Sequence, residues 1–163
     1  MKKTIISAII LMVLVSCNQK TEKVNNSSNL EKTETMEKLA KQEIESLLMT
    51  YKGTLNTSNA DKATSLYTKD GIFMPTGAPS AIGTEQIKGA YEFVFSQIQL
   101  NIEFFIEEIT IENTFAYAVT SSKGSTLIHA TGETVPEENR ELFVFEKENG
   151  TWKIARYMFN KTK

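Results

Sequence analysis

The hydrophobic period of this chain changes once, near Leu100, and that change limits the fold more than any single motif does. Before it, apolar residues recur as on one face of a helix: Ile44, Leu47, Leu48, Tyr51 and Leu55, then Ile87, Ala90, Tyr91, Val94, Phe95 and Ile98. After it they alternate, through Ile102, Phe104 and Ile106, then Phe115, Tyr117 and Val119, then Glu141, Phe143 and Phe145. Helices first and strands afterwards make an α+β domain, with three N-terminal helices packed on one face of a curved, mostly antiparallel sheet.

The element boundaries follow from local signals. The first helix is expected from Met36, adding Met36, Leu39 and Ala40 to the buried stripe, and it ends at the polar break Asn56-Thr57-Ser58-Asn59. A short second helix is expected over Asn59 to Tyr67, carrying Ala60, Ala63, Leu66 and Tyr67. Lys69-Asp70-Gly71 reads as a turn into a strand, Ile72 to Met74, which Pro75-Thr76-Gly77-Ala78-Pro79 closes as a rigid loop. Gly83-Thr84 opens the third helix. In the strand half, the alternation slips by one residue after Glu107-Glu108 and resumes at Ile109 and Ile111, the mark of a β-bulge. A turn is expected at Lys123-Gly124, a Glu-rich loop over Thr131 to Asn139, and a tight hairpin at Asn149-Gly150 before a last strand from Trp152 to Phe159.

The 163 residues, 40% of them apolar, suit one domain with small additions. A net charge of −2 and scattered basic residues, only Arg140 and Arg156 being arginine, exclude a nucleic-acid binder that neutralises phosphates. One Cys and one His leave no intramolecular disulfide and no Cys/His zinc cluster, and the sequence points to no metal or cofactor. The glutamates at 103, 107, 108 and 112 read as a solvated edge. No nucleophile elbow or phosphate loop occurs.

Met1-Lys2-Lys3 followed by the apolar run Ile5 to Val15 is too short to span a bilayer and reads as a signal peptide over residues 1–16. Its end, Leu14-Val15-Ser16-Cys17, resembles a bacterial lipobox. That resemblance implies cleavage before Cys17, lipidation of Cys17 and attachment to a membrane of the cell envelope. Residues 17–35, with Val24 and Leu30 as their sizeable apolar groups, read as the lipidated Cys and a flexible tether. The domain proper is then 36–163.

Within that domain, Tyr51-x3-Leu55-Asn56, Asp61, Leu66-Tyr67, Asp70-Gly71-Ile72-Phe73-Met74-Pro75 and Gly83-Thr84-x2-Ile87-x3-Tyr91 come in a recognisable order. Phe143-x-Phe145 and Asn149-Gly150-x-Trp152-Lys153-Ile154-Ala155-Arg156 continue it. The pattern resembles the nuclear transport factor 2-like superfamily, in its SnoaL-like and ketosteroid-isomerase-like branch. The resemblance implies a cone-shaped roll with a pocket between sheet and helices, commonly a dimer through the outer sheet face. It places Tyr51 at an oxyanion-binding tyrosine, Tyr67 and Tyr91 at supporting tyrosines, and Glu141 at a second oxyanion acid. The position of the general base falls on Met74 or Pro75, and neither can accept a proton.

Each candidate also has a structural reading. Tyr51, Tyr67 and Tyr91 sit on stripes that an ordinary core would bury, and Asp70 suits a turn. Glu141 shares a strand face with Phe143 and Phe145, so a carboxyl is expected among aromatic rings, with Arg140 or Arg156 available to pair with it. Phe73, Met74, Tyr117, His129, Phe143, Tyr157 and Phe159 complete the expected pocket wall. Three functions fit. The first is a tethered pocket protein binding a small apolar or amphipathic ligand with little or no catalysis. The second is an isomerase, dehydratase or cyclase working through Tyr51 and Glu141, with His129 or water as base. The third is an interaction module, dimeric through a sheet face carrying Trp152, Ile154 and Met158.

Overall fold

The computed structural model describes residues 20–162, with side chains from Asn29 onward; Cys17 and the segment 1–16 lie outside the described residues. The chain divides into two compact units at Thr35/Met36. Helix α1 runs Lys20–Asn56. Residues 20–35, expected as a flexible tether, are therefore helical. No Pro or Gly interrupts the chain between Asn18 and Lys52, and extending an existing helix needs only one hydrogen bond per residue fixed. Side chains from Asn29 to Leu39 are exposed, so Met36 and Leu39 do not join the buried stripe, which begins at Ala40.

In the second unit the buried face of α1 is Ala40, Ile44, Leu48, Tyr51 and Leu55, with Ile44, Leu48 and Leu55 each contributing about 1.5–3 kcal/mol of burial. Helix α2, Ala60–Ser65, is capped by the Asn59 side chain, which accepts from the Lys62 N–H at 2.8 Å. It stops two residues short of the expected end, and Tyr67 instead opens strand β1, Tyr67–Met74. The Lys69-Asp70-Gly71 segment is an irregularity within that strand rather than a turn before it. A two-residue strand β2, Ala81–Ile82, leads into α3, Gly83–Gln97, which buries Ile87, Tyr91 and Phe95.

Strands β3 (Ile98–Glu112), β4 (Phe115–Ile128), β5 (Glu133–Glu148) and β6 (Thr151–Lys161) are consecutive antiparallel neighbours. The six-stranded sheet has the order β2-β1-β6-β5-β4-β3, and its β1–β6 pairing is parallel. The sheet is thus open and mixed, with helices on one face. The register between β3 and β4 skips Glu107, the bulge that the slipped alternation anticipates. Asn149 and Gly150 form the β5–β6 turn with φ of 52° and 80°, as a type I′ hairpin requires.

Two expectations in the strand half fail. No turn occurs at Lys123-Gly124; β4 runs through it, and Gly124 lies opposite Ile102. A Cβ there would stand 2.1 Å from the Asn101 carbonyl oxygen, so this glycine permits a close backbone approach. The Glu-rich segment expected as a loop to Asn139 is instead strand from Glu133. Pro136 is tolerated there because β6 pairs with β5 only from Asn139 onward, so Pro136 pairs with β4 alone. The free edge of β3 is held by the end of α1: Asn56 Nδ2 donates to the Ile102 carbonyl at 2.8 Å, and Ile102 N–H donates to Asn56 Oδ1 at 2.9 Å.

Candidate functional site

Between α1, α3 and the inner sheet face lies a cavity of about 290 Å³, close to the lower limit of typical ligand pockets. Ala90 and Val94 of α3 and Ile98, Leu100 and Ile102 of β3 supply aliphatic walls. Phe73, Tyr91, Tyr157 and Phe159 supply aromatic ones, with Phe73 stacked between Tyr91 at 4.9 Å and Tyr157 at 5.6 Å. Tyr51 from α1 and Glu141 from β5 both line the same space. The 3.6-residue period turns Tyr51 inward with Leu48 and Leu55, and the two-residue period turns Glu141 inward with Phe143 and Phe145.

Two phenols are chained behind Tyr51. The Tyr51 hydroxyl is hydrogen-bonded to that of Tyr91, which is bonded at 2.8 Å to that of Tyr67. The Tyr51 hydroxyl is also hydrogen-bonded to that of Tyr157, so it has two phenol neighbours. Tyr67 is buried away from the cavity, and its hydroxyl finds its partner in Tyr91. Burial pushes the phenols of Tyr51, Tyr67, Tyr91 and Tyr157 up, so all four stay neutral donors.

Glu141 is 4% exposed and accepts from Thr120 Oγ1 on the neighbouring strand. Burial pushes its carboxyl above the ordinary range, although hydrogen bonds from Ser122 and Thr120 oppose the shift. Neither Arg140 nor Arg156 pairs with it: Arg140 is exposed, and Arg156 donates to the Asp70 and Ala155 carbonyls.

The same face carries residues that the loop reading concealed. Glu137 and Asn139 precede Glu141 at two-residue intervals, and all three line the cavity together with Lys161 of β6. Glu137 accepts from Thr126 Oγ1 at 2.9 Å, Asn139 Nδ2 at 3.0 Å and Lys161 Nζ at 3.1 Å. Burial opposes ionisation of Glu137, but the bonds from Asn139, Lys161 and Thr126 outweigh it and hold this carboxyl below its usual value. Their signal in the sequence is the alternation itself, which runs back without a break from Phe145 to Glu137.

The remaining expected wall residues divide. Phe73, Tyr91, Tyr157 and Phe159 line the cavity. Phe143 is fully buried behind it, 4.2 Å from Tyr157 and 5.6 Å from Tyr51, and serves as packing for both rings. Met74 does not line it, because its neighbour Phe73 takes the inward position and Met74 pairs with Met158 on the other face. Tyr117 is also on that other face, exposed, with its hydroxyl on Glu108. His129 is exposed just beyond β4, its Nδ1 3.0 Å from the Ser96 carbonyl, and is no base for this cavity. Among the described residues no group of three or more His, Cys, Asp or Glu could hold a metal ion.

Similar proteins agree with this architecture. A family model for the SnoaL-like domain matches residues 44–159. A ketosteroid isomerase-like protein from Erwinia carotovora atroseptica SCRI1043 is similar over 74% of this chain and 94% of its own, with 28% identity and a TM-score of 0.71. A nuclear transport factor 2-like superfamily protein from Salmonella enterica serovar Typhimurium LT2 shares 17% identity over 77% of this chain and 93% of its own, with a TM-score of 0.69. A conserved protein from Planctomyces limnophilus DSM 3776 shares 20% over 76% and 98%, with a TM-score of 0.65. No curated protein matches the sequence. With its helices on one face of an open mixed sheet, a cavity between them and the family pattern running from Ile44 to Phe159, the chain belongs to the SnoaL-like domain family.

Proposed function

We propose that this domain binds a small amphipathic ketone, held by its carbonyl oxygen between Tyr51 and Glu141, and that the chain is tethered to the cell envelope through a lipid on Cys17. The observation that carries the binding reading is that Tyr51 and Glu141 line one cavity with largely aromatic and aliphatic walls. Tyr51 is a neutral phenol on the cavity wall, and burial raises the Glu141 carboxyl above its ordinary value, which favours the protonated form that can donate. A carbonyl oxygen accepts from both and needs no base to be bound. Acetophenone, titrated calorimetrically against the full chain, is expected to bind. Tyr51→Phe should weaken it by about 1–2 kcal/mol, the worth of one buried hydrogen bond. Loss of folding stability without loss of affinity would make Tyr51 a packing residue only. The tether rests on the Lys2-Lys3 start, the apolar run and Cys17. Cys17→Ser should release the protein from the membrane fraction, and unchanged membrane attachment would refute it.

A second reading is favoured by one observation: the surroundings push the two cavity carboxyls apart, Glu137 toward the ionised form and Glu141 toward the neutral one. Such a division is how acid and base roles are assigned in proton-transfer enzymes. Glu137 already accepts from three donors, which makes it a weak base and places binding first. Deuterium exchange into the acetophenone methyl group, catalysed by the protein and abolished by Glu137→Gln, would reverse that order.

A further inference from the structure

We propose that Lys161 is an anion-binding subsite at the mouth of the cavity and that the ligand is an aromatic keto acid, its ketone inside and its carboxylate at the mouth; for the inner end this rests on the carbonyl-binding reading of Tyr51 and Glu141. Among the described residues that line the cavity, Lys161 is the only basic one. Its side chain is 54% exposed, and Phe93, which also lines the cavity, is 67% exposed, so these two mark where the space meets solvent. Tyr51 and Glu141 are buried, which puts the carbonyl-binding groups at the closed end. A ligand that enters with its ketone first therefore leaves its other end beside Lys161. A charge at that exposed end costs little desolvation, because the group keeps part of its water.

The position of Lys161 fixes the sign of that charge. Its ammonium has three N–H groups, and among the described residues its bonded partner is Glu137, at 3.1 Å. Glu137 is buried and also accepts from Thr126 and Asn139, so it does not take the ammonium alone. A second acceptor on Nζ would stand about 3 Å from the ammonium and about 5 Å from the Glu137 carboxylate, so attraction outweighs repulsion. A ligand ammonium meets the reverse order, Lys161 first and Glu137 behind it. The span fits as well. Lys161 lies opposite Asn139 in the β5–β6 register, and Asn139 and Glu141 are alternate residues on one strand face, about 7 Å apart. That is close to the distance from ketone to carboxylate across a para-substituted benzene ring. Phe73, Tyr157 and Phe159 supply flat walls for such a ring between the two ends.

The test titrates the full chain with 4-acetylbenzoate, 4-acetylbenzamide and 4-isopropylbenzoate. The keto carboxylate is expected to bind about fivefold more tightly than the neutral amide at low salt. That gap should shrink between about 20 mM and about 500 mM sodium chloride, as for any exposed ion pair. Lys161→Met should reverse the order of the two, because Glu137 then repels the carboxylate. The ratio is the readout, since a wall that loosens on losing Lys161 weakens both ketones alike. Equal binding of carboxylate and amide by the unaltered chain would overturn the anion subsite but leave the carbonyl site standing. A preference for the carboxylate that survives in Lys161→Met would overturn it too, by placing the cation elsewhere. 4-Isopropylbenzoate keeps the charge and the branched outline without the ketone, and it should bind more weakly than 4-acetylbenzoate. Equal binding of those two would overturn the carbonyl reading, and the keto acid with it, but not the anion at Lys161. Binding of none of the three would overturn both ends. Should Lys161→Met fail to fold, salt decides alone in the unaltered chain, and a gap that salt leaves unchanged overturns the subsite.

Discussion

At the scale of single residues, the cavity is governed by two glutamates on one strand whose surroundings shift them in opposite directions. The unfolded chain supplies the reference, with both near the ordinary carboxylate value. Glu141 holds its proton more tightly when folded, so the stability it contributes is full below that ordinary value and is lost as pH rises through its raised one. Glu137 behaves oppositely: its contribution is full above the ordinary value and is lost as pH falls through its lowered one. Glu141→Gln should therefore be more stable than the parent at neutral pH and gain little in acid. Glu137→Gln should lose about 1–3 kcal/mol at neutral pH, where charge-assisted hydrogen bonds are broken, and little in acid. Urea unfolding of each variant at several values between about pH 3 and pH 8 reads both slopes. Parallel curves for parent and variants would show that neither carboxyl is shifted. The inward position of Glu141 was legible beforehand, because it alternates with Phe143 and Phe145. Its partners were not: Thr120 and Ser122 are brought to it by strand register, which no local pattern encodes.

At the scale of elements, strong local signals carried through and weak ones yielded to the sheet. The third helix, the bulge at Glu107 and the Asn149-Gly150 hairpin each have a local cause, and each is present. Lys123-Gly124 and the stretch from Glu133 to Asn139 carry turn and loop residues, yet both are strand, because pairing between β4 and β5 continues through them. Gly124 makes the difference testable. In a turn it would tolerate a side chain of suitable conformation, but between β3 and β4 a Cβ meets the Asn101 backbone. Gly124→Val should lower stability by more than about 2 kcal/mol, seen as a lower urea midpoint. A loss within about 0.5 kcal/mol, as expected for surface sites, would contradict the close approach. The last strand shows the same lesson. Ala155 is an extra residue in the β5–β6 register, so Trp152 and Ile154 face inward, as do Tyr157 and Phe159 after it. The expected outer face of Trp152, Ile154 and Met158 therefore keeps only Met158.

At the scale of the whole domain, the outer sheet face is nevertheless apolar. Tyr117, Leu142 and Met158 are exposed there on three adjacent strands, with Val119 and Val144 half-buried among them. A second copy of the chain is the proposed cover for this surface. Leu142→Glu with Met158→Glu should shift the protein from dimer to monomer in sedimentation at micromolar concentration, without loss of the fold. A parent chain that sediments as monomer would exclude the dimer. The parallel pairing of β1 with β6 has a further consequence, for the order of events in time. Phe73 is held in the sheet by Tyr157, from the last strand, and by the short β2 on its other side. A chain emerging from a ribosome or a translocation channel thus makes its helices and β1 long before the strand that locks β1 in place. The sheet can form from β3 to β5 in sequence, but β1 must wait, and closing that long loop is the slow step expected of non-local pairing. Until β6 arrives, the aromatic wall of the cavity is half built, with Phe73 present and Tyr157 and Phe159 still to come.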